Sequence, residues 1–214
     1  MASRVLTEQI DEYLEDLVPK REAELRKMEQ YAGRIGFPII GPTCGYFCYQ
    51  IARMMGARHV FELGSGFGYS TAWFARAVQE NGGGKVFHVV WDADLSARAR
   101  THLTTLGYAE LIEYRIGEAV EALRETDQVF DLIFIDIDKE AYPEALPVMA
   151  AKLRPGGVLL ADNALWHGAV ADRSDRSSTT RAVRRFTQMV MGDPAWVASI
   201  IPIRDGLLLA WKRA

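Results

Sequence analysis

Cysteine is nearly absent: the 214 residues hold only Cys44 and Cys48. That excludes a disulfide framework, and with no histidine or further cysteine nearby it argues against zinc. Two small buried thiols are the simpler reading. Long apolar runs are missing too; none approaches the roughly 18 residues of a membrane span. The acidic, amphipathic start MASRVLTEQIDEYLEDL is unlike a secretory signal. Charge of one sign is lacking as well. Lys and Arg number 25 against 28 Asp and Glu, a net charge of −3 and a pI near 5.9. No electrostatic footprint for bulk nucleic acid or an anionic membrane follows from that balance. These absences predict a cytoplasmic protein with no membrane partner.

What remains is globular. Apolar residues make up 49% and charged residues 25%, and the length suits one large domain with a full core. Two short helical patterns come first. Ile10, Tyr13, Leu14 and Leu17 form one apolar stripe; Pro19 suits the first turn of a second helix carrying Leu25, Met28 and Tyr31, ended by Gly33 and Gly36. Residues 37–45, FPIIGPTCG, read as a Gly/Pro-punctuated loop.

From residue 57 the chain alternates. Strands are expected at 58–63, 85–91, 111–115, 130–136 and 156–162, with helices near 69–80, 94–106, 117–126 and 140–153. Such alternation implies βαβ units around a parallel sheet. After a helix near 178–191 the rhythm breaks: residues 197–203 and 206–212 are joined by Arg204-Asp205-Gly206, a hairpin signal. The expected fold is α/β, doubly wound, a mostly parallel seven-stranded sheet ending in an antiparallel hairpin.

Three segments carry chemistry. Glu62-Leu-Gly64-Ser65-Gly66-Phe-Gly68-Tyr-Ser70 follows the first strand and opens a helix, where free N–H groups and close backbone approach favour a ligand. A dinucleotide fingerprint needs its third glycine one place later, where Tyr69 stands. The other two segments end later strands: Phe134-Ile-Asp136-Ile-Asp138-Lys139-Glu140-Ala-Tyr142, and Leu160-Ala-Asp162-Asn163-Ala-Leu-Trp166-His167-Gly168. Ligands of open α/β sheets bind beyond the carboxyl ends of strands, so all three should face one crevice. Two carboxylates and an amide oxygen are hard ligands, suited to Mg²⁺, Ca²⁺ or Mn²⁺.

E-x-G-x-G-x-G resembles motif I of S-adenosyl-L-methionine-dependent methyltransferases. F-I-D-x-D-K-x-x-Y with L-x-D-N-x-L-W-x-G is similar to the metal-dependent O-methyltransferases typified by the caffeoyl-CoA and catechol enzymes. The resemblance covers residues 38–214, with Gly45 in its family place ahead of Glu62. It implies a catechol-like, vicinal dihydroxy aromatic acceptor and a divalent metal, Mg²⁺ or its substitutes, on Asp136, Asp162 and Asn163. Lys139 would be the general base, and Trp166 and His167 would meet the substrate. The cofactor would touch Ile40, Glu62, Gly64, Ser65, Gly66, Gly68, Ser70, Trp91, Asp92, Glu118, Ala119, Asp136 and Asp138. The resemblance also implies a helical extension over residues 1–36 that covers the substrate and packs in a homodimer, with the methyltransferase domain at 37–214.

One departure concerns the ribose. The acid expected at the end of the second strand is Val90, which accepts no hydrogen bond. Asp92 lies two residues on, and Asp94 reads as the N-cap of the next helix. Trp91 could stack on adenine, and Glu118 could serve as a first-turn acid. His59, His88 and His102 read as strand-edge or helix-surface histidines. The Arg-rich run 173–185 reads as a solvated face, with an anionic group such as a coenzyme A phosphate as the sharper alternative. Rival readings are a tRNA hydroxyuridine methyltransferase of the same family, an NAD-dependent oxidoreductase, and a non-catalytic binding protein on this scaffold.

Overall fold

The computed structural model describes residues 7–213. The Thr7 hydroxyl accepts from the Ile10 amide and caps α1 (Glu8–Asp16). No residue of α1 is buried. Ile10, Tyr13 and Leu17 are 46%, 63% and 62% exposed, so most of the expected apolar stripe faces outward. Helix α2 (Ala23–Ile35) begins after Pro19, not at it, runs through Gly33, and ends at Gly36 in a left-handed C-cap. Its Leu25, Met28 and Ala32 are buried.

Residues 37–45 depart most from expectation, because α3 (Gly41–Met54) begins inside the supposed loop. Pro42 stands in the first turn, where a missing N–H costs nothing. Gly45 is there for room: a Cβ would overlap the Trp73 indole packed against it. Its glycine marks a close approach, not a turn.

The sheet comprises β1 (His59–Leu63), β2 (Lys85–Val90), β3 (Ile112–Ile116), β4 (Phe130–Ile135), β5 (Leu153–Ala161), β6 (Trp196–Ile201) and β7 (Leu207–Lys212). Its order is β3-β2-β1-β4-β5-β7-β6. Neighbours from β3 through β5 pair in parallel, and β7 runs antiparallel to both β5 and β6. Strand β5 starts three residues earlier than expected, taking in Pro155-Gly156-Gly157 where its register against β4 shifts. The remaining helices are α4 (Tyr69–Glu80), α5 (Ala93–Thr105), α6 (Ala119–Glu125), α7 (Tyr142–Lys152) and α8 (Ser178–Gly192).

Alternate strand residues feed two core layers. Val60, Phe134 and Leu160 join Trp73 and Phe74 of α4 on one face; Phe61, Ile133 and Leu159 join Met149 and Phe186 on the other. Burial on both faces is what makes these strands near-continuous apolar runs. Winding reverses between β1 and β4, which opens a crevice beyond their carboxyl ends. Among the described residues no helix is long and apolar enough to cross a membrane.

The Gly45 contact makes a prediction about packing. Gly45→Ala improves helix propensity yet forces the buried Trp73 ring aside, so it should destabilise by roughly 1–3 kcal/mol. A urea titration checks this; unchanged or raised stability would show that Trp73 gives way freely.

Candidate functional site

A cleft of about 1450 Å³ opens over the carboxyl ends of β1, β4 and β5. That exceeds the roughly 300–1,000 Å³ of a single-ligand pocket and leaves room for two ligands. Its lining includes Ile40, Gly64, Ser65, Gly66, Ser70, Trp91, Glu118, Ala119, Asp136, Asp138, Lys139, Asp162, Asn163, Trp166 and His167. Three expected site residues stand outside that lining: Glu62, Gly68 and Asp92.

The glycine turn is locked from two sides. Gly64 has φ 89°, and a Cβ there would overlap the carbonyl of Asp136. Ser65 donates its amide to Val89 O and accepts the Val89 amide on its hydroxyl, both at 2.9 Å, which ties the turn to β2. Beneath the turn, Glu62 is fully buried. Its Oε2 accepts from the Thr71 hydroxyl at 2.5 Å, while Oε1 has no partner. Burial pushes the Glu62 carboxyl up to about 7. His88 lies 3.1 Å from the same hydroxyl through Nδ1 and is wholly buried in β2, not at a strand edge. Burial lowers its pKa to about 3, so the ring is neutral. With the Thr71 proton on Glu62, its oxygen accepts from His88 Nδ1–H, which sets the tautomer.

The second cluster joins β4 to β5. Lys139 is 6% exposed, and its ammonium donates to Asp136 Oδ1 (2.7 Å), Ile137 O (3.1 Å) and Tyr142 OH (3.0 Å). The Tyr142 hydroxyl in turn faces the carbonyls of Ile135 (3.0 Å) and Asp162 (3.2 Å). Burial, then the neighbouring Asp136 charge, pushes the Asp162 carboxyl up to about 7. Among the described residues no group of three or more His, Cys, Asp or Glu is arranged to hold a metal. The expected set has two carboxylates and an amide, and these do share the cleft.

Several residues have roles that sequence reasoning did not assign. Asp205, read as half of a hairpin turn, accepts from Asn163 Nδ2 at 3.0 Å and from the His167 backbone amide. Arg204 donates to Ile39 O at 2.6 Å on the opposite wall. Tyr142 stood in the D-K-x-x-Y segment without a role of its own. Its spacing three residues after Lys139 is the signal that could have revealed it. On the cleft's outer wall Glu29 joins Arg21 and the Tyr69 hydroxyl, each at 2.8 Å.

The adenosine side differs from expectation. Asp92, not Asp94, caps α5, its Oδ1 accepting from the amides of Asp94 (2.8 Å) and Leu95 (3.0 Å). Glu118 is the N-cap of α6, accepting from Val120 and Glu121 amides. Val90 lines the cleft where an acid was sought, and Trp91 stands 71% exposed at its edge. Of the other histidines, His102 pairs with Glu24 at 2.7 Å and His59 opens β1. In the Arg-rich run, Arg184 is a local brace, donating to the carbonyls of Ala169, Val170 and Asp175.

A parallel sheet closed by an antiparallel hairpin, with a glycine turn and a carboxylate cluster in one crevice, defines a Rossmann-like methyltransferase. A sequence model of the O-methyltransferase family matches residues 19–213, and the chain belongs to that family. A catechol O-methyltransferase from Niastella koreensis is 31% identical over 214 residues, covering 95% of this chain and 96% of that one. Among solved structures, the O-methyltransferase TomG of Streptomyces achromogenes, involved in tomaymycin synthesis and bound to SAM, superposes with a TM-score of 0.86. It is 28% identical and covers 98% of this chain and all (100%) of its own. A Bacillus cereus O-methyltransferase in complex with SAH also reaches 0.86, at 27% identity, covering 96% of this chain and 97% of its own. The protein is therefore an S-adenosyl-L-methionine-dependent O-methyltransferase, which sets aside the nicotinamide and non-catalytic readings.

Glu62 makes a pH prediction. Its folded pKa is raised from 4.5 to about 7, so its contribution to stability is full below 4.5 and lost as pH rises through about 7. Without ligands, the Tm should fall between about pH 5 and about pH 7.5, and less steeply in Glu62→Gln. Equal slopes in the two proteins would remove Glu62 from that account.

Proposed function

We propose that the protein methylates one hydroxyl of a vicinal dihydroxy aromatic, with Asp136, Asp162 and Asn163 holding a divalent cation, Mg²⁺ or in its place Ca²⁺ or Mn²⁺. The observation that carries this is the gathering of these residues and Lys139 in one cleft at the ends of β4 and β5. The donor set suits the ion. Asn163 gives its amide nitrogen to Asp205, which leaves its oxygen as a free donor. Burial and the Asp136 charge push the Asp162 carboxyl up to about 7, a penalty that a bound cation would offset. Such a cation, when bound, acidifies a chelated hydroxyl and fixes its oxygen.

The chain's own residues then orient and move a proton. Lys139 Nζ stands 2.7 Å from Asp136; with that carboxylate engaged by a cation, the neutral amine form of Lys139 would face the acceptor hydroxyl and take its proton, becoming the ammonium. Gly64, Ser65, Gly66 and Ser70 would hold the methionine part of the cofactor, with Glu62 bracing the turn from beneath through the Thr71 hydroxyl. Trp91, Glu118 and Ala119 would border the adenine, Ile40 the opposite wall, and Asp136 and Asp138 the reacting side. Trp166 and His167 would meet the acceptor at the mouth.

Eleven residues of the cleft lining are Asp or Glu and three are Lys or Arg. That balance favours a neutral or cationic small phenolic acceptor over coenzyme A esters or tRNA. The relative named catechol O-methyltransferase agrees in acceptor class. Of the expected 1–36 extension, whose first six residues lie outside the described ones, residues 7–36 would cover the substrate while the outward stripe of α1 packs against a second copy in a homodimer; of the expected catalytic domain 37–214, residues 37–213 are described. Two buried free thiols accord with a reducing, cytoplasmic location.

Lys139→Ala should abolish methylation of a catechol panel, with cofactor binding retained; undiminished turnover would remove the base assignment. EDTA should likewise stop turnover, and activity that survives it would sink the metal reading. Calorimetry with S-adenosylhomocysteine should show micromolar binding despite Val90. Val90→Glu should tighten it roughly tenfold, the effect of about 1.4 kcal/mol. Weaker binding in that variant would mean the ribose is not held at β2.

A further inference from the structure

We infer that Asp205, in the turn between β6 and β7, is a positioning residue that aims the Asn163 amide oxygen at the cation and anchors the Trp166–His167 mouth. The inference rests on the metal reading of Asn163. An aspartate in a hairpin turn ordinarily bonds its own turn. Here the carboxylate reaches 42 and 38 residues back, to Asn163 Nδ2 at 3.0 Å and to the His167 amide, with His167 Nδ1 at 3.6 Å. A carboxylate only accepts, so it must draw the NH₂ edge of Asn163 and leave the oxygen edge to the cleft. The side chain is 13% exposed, which shields these bonds from water.

The segment it holds is strained. Asn163, Trp166 and His167 have φ of 56°, 45° and 54°, a left-handed region that non-glycine residues rarely adopt. Such backbone persists only where its surroundings over-determine it. The same turn supplies the constraint: Ala164 N donates to Gly206 O at 2.8 Å and Leu165 N to Asp205 O at 2.9 Å. Arg204, itself at φ 50°, extends the brace to Ile39 across the cleft. The hairpin tip therefore sets both the cation-facing amide and the substrate-facing pair.

The test is Mn²⁺ calorimetry on the full chain, in the presence and absence of S-adenosylhomocysteine. Asp205→Ala should weaken Mn²⁺ binding by about 10- to 100-fold, the range for residues that orient a metal ligand. Because that variant could fail to fold, Asp205→Asn is the sharper probe. Its amide oxygen can still accept from His167, which turns its NH₂ onto Asn163 and drives that amide to rotate its own NH₂ toward the cation. Mn²⁺ binding should fall similarly in D205N, with homocysteine-analogue affinity within about twofold of wild type. Adding N163D should restore Mn²⁺ binding to within about threefold, because one carboxylate oxygen accepts from residue 205 and the other faces the cation. Unchanged Mn²⁺ affinity in D205N, or no recovery in N163D/D205N, overturns the positioning role while leaving the metal reading standing. A wild-type protein that binds no Mn²⁺ overturns both.

Discussion

The glycine turn and the carboxylate cluster meet where Gly64 lies against the backbone carbonyl of Asp136, with no space for a side chain between them. Pairing of Leu63 with Ile135 brings the two strand ends level, and the Asp136 amide donates to Leu63 O at 2.8 Å. The separation between the glycine turn and the carboxylate cluster is thus set by backbone contact between adjacent parallel strands, not by flexible side chains. Reactive geometry needs placement to a fraction of an ångström, and strand ends in a packed sheet supply it better than loops. The adjoining pieces inherit that precision: Ser65 fixes the turn to β2, and Tyr142 ties the β4 and β5 carbonyls together.

Such a wall concentrates buried charge, which folding alone disfavours. Lys139 is compensated by Asp136, a carbonyl and a phenol, so it is fully satisfied in the resting protein. Glu62 and Asp162 are not. Each is pushed up to about 7 by burial, and Glu62 keeps one oxygen without a partner. A perturbed carboxyl in the cleft wall, Asp162, with a second buried beneath its glycine turn, Glu62, is the mark of a site shaped for ligands at some expense to stability. The neutral His88 behind Thr71 belongs to the same arrangement, because it orders the hydroxyl that holds Glu62 in place.

Much of this was legible in the sequence, and the reason is periodicity. Strands buried on both faces read as apolar runs, and polar residues at their carboxyl ends stand out for that reason; hence Asp136, Lys139, Asp162 and Asn163 could be singled out, and they line one cleft. What stayed hidden depends on contacts distant in sequence. Gly45 and Pro42 look like loop formers, and only Trp73 reveals that Gly45 serves helix packing. Asp205 looks like turn chemistry until Asn163 is folded onto it. Asp92 and Asp94 both suit an N-cap, and only the backbone path into α5 selects the former. The α1 stripe was visible, but the direction it faces was not, since periodicity defines a face and not its partner.

Charge gives the site a direction. The cofactor carries a sulfonium, an ammonium and one carboxylate, a net positive charge, and the cleft opposes it with an excess of acids. Two unit charges about 8 Å apart in water attract by only about 0.5 kcal/mol, so no single acid decides the matter. Their sum still favours the cationic cofactor over its neutral product, because methyl transfer removes the sulfonium charge. Binding that loosens after the reaction assists release of product. It also holds the sulfonium back before transfer, since uniform attraction for the ground state does not speed chemistry. Under the proposed assignment, a cation on the Asp136, Asp162 and Asn163 set would place positive charge beside the attacking oxygen and oppose that hold there. The acid-rich cleft, with its single lysine buried at the ends of β4 and β5, therefore sets a charged rim apart from a buried strand-end cluster, and under the proposed assignment the rim would select charge while the strand ends carried the chemistry.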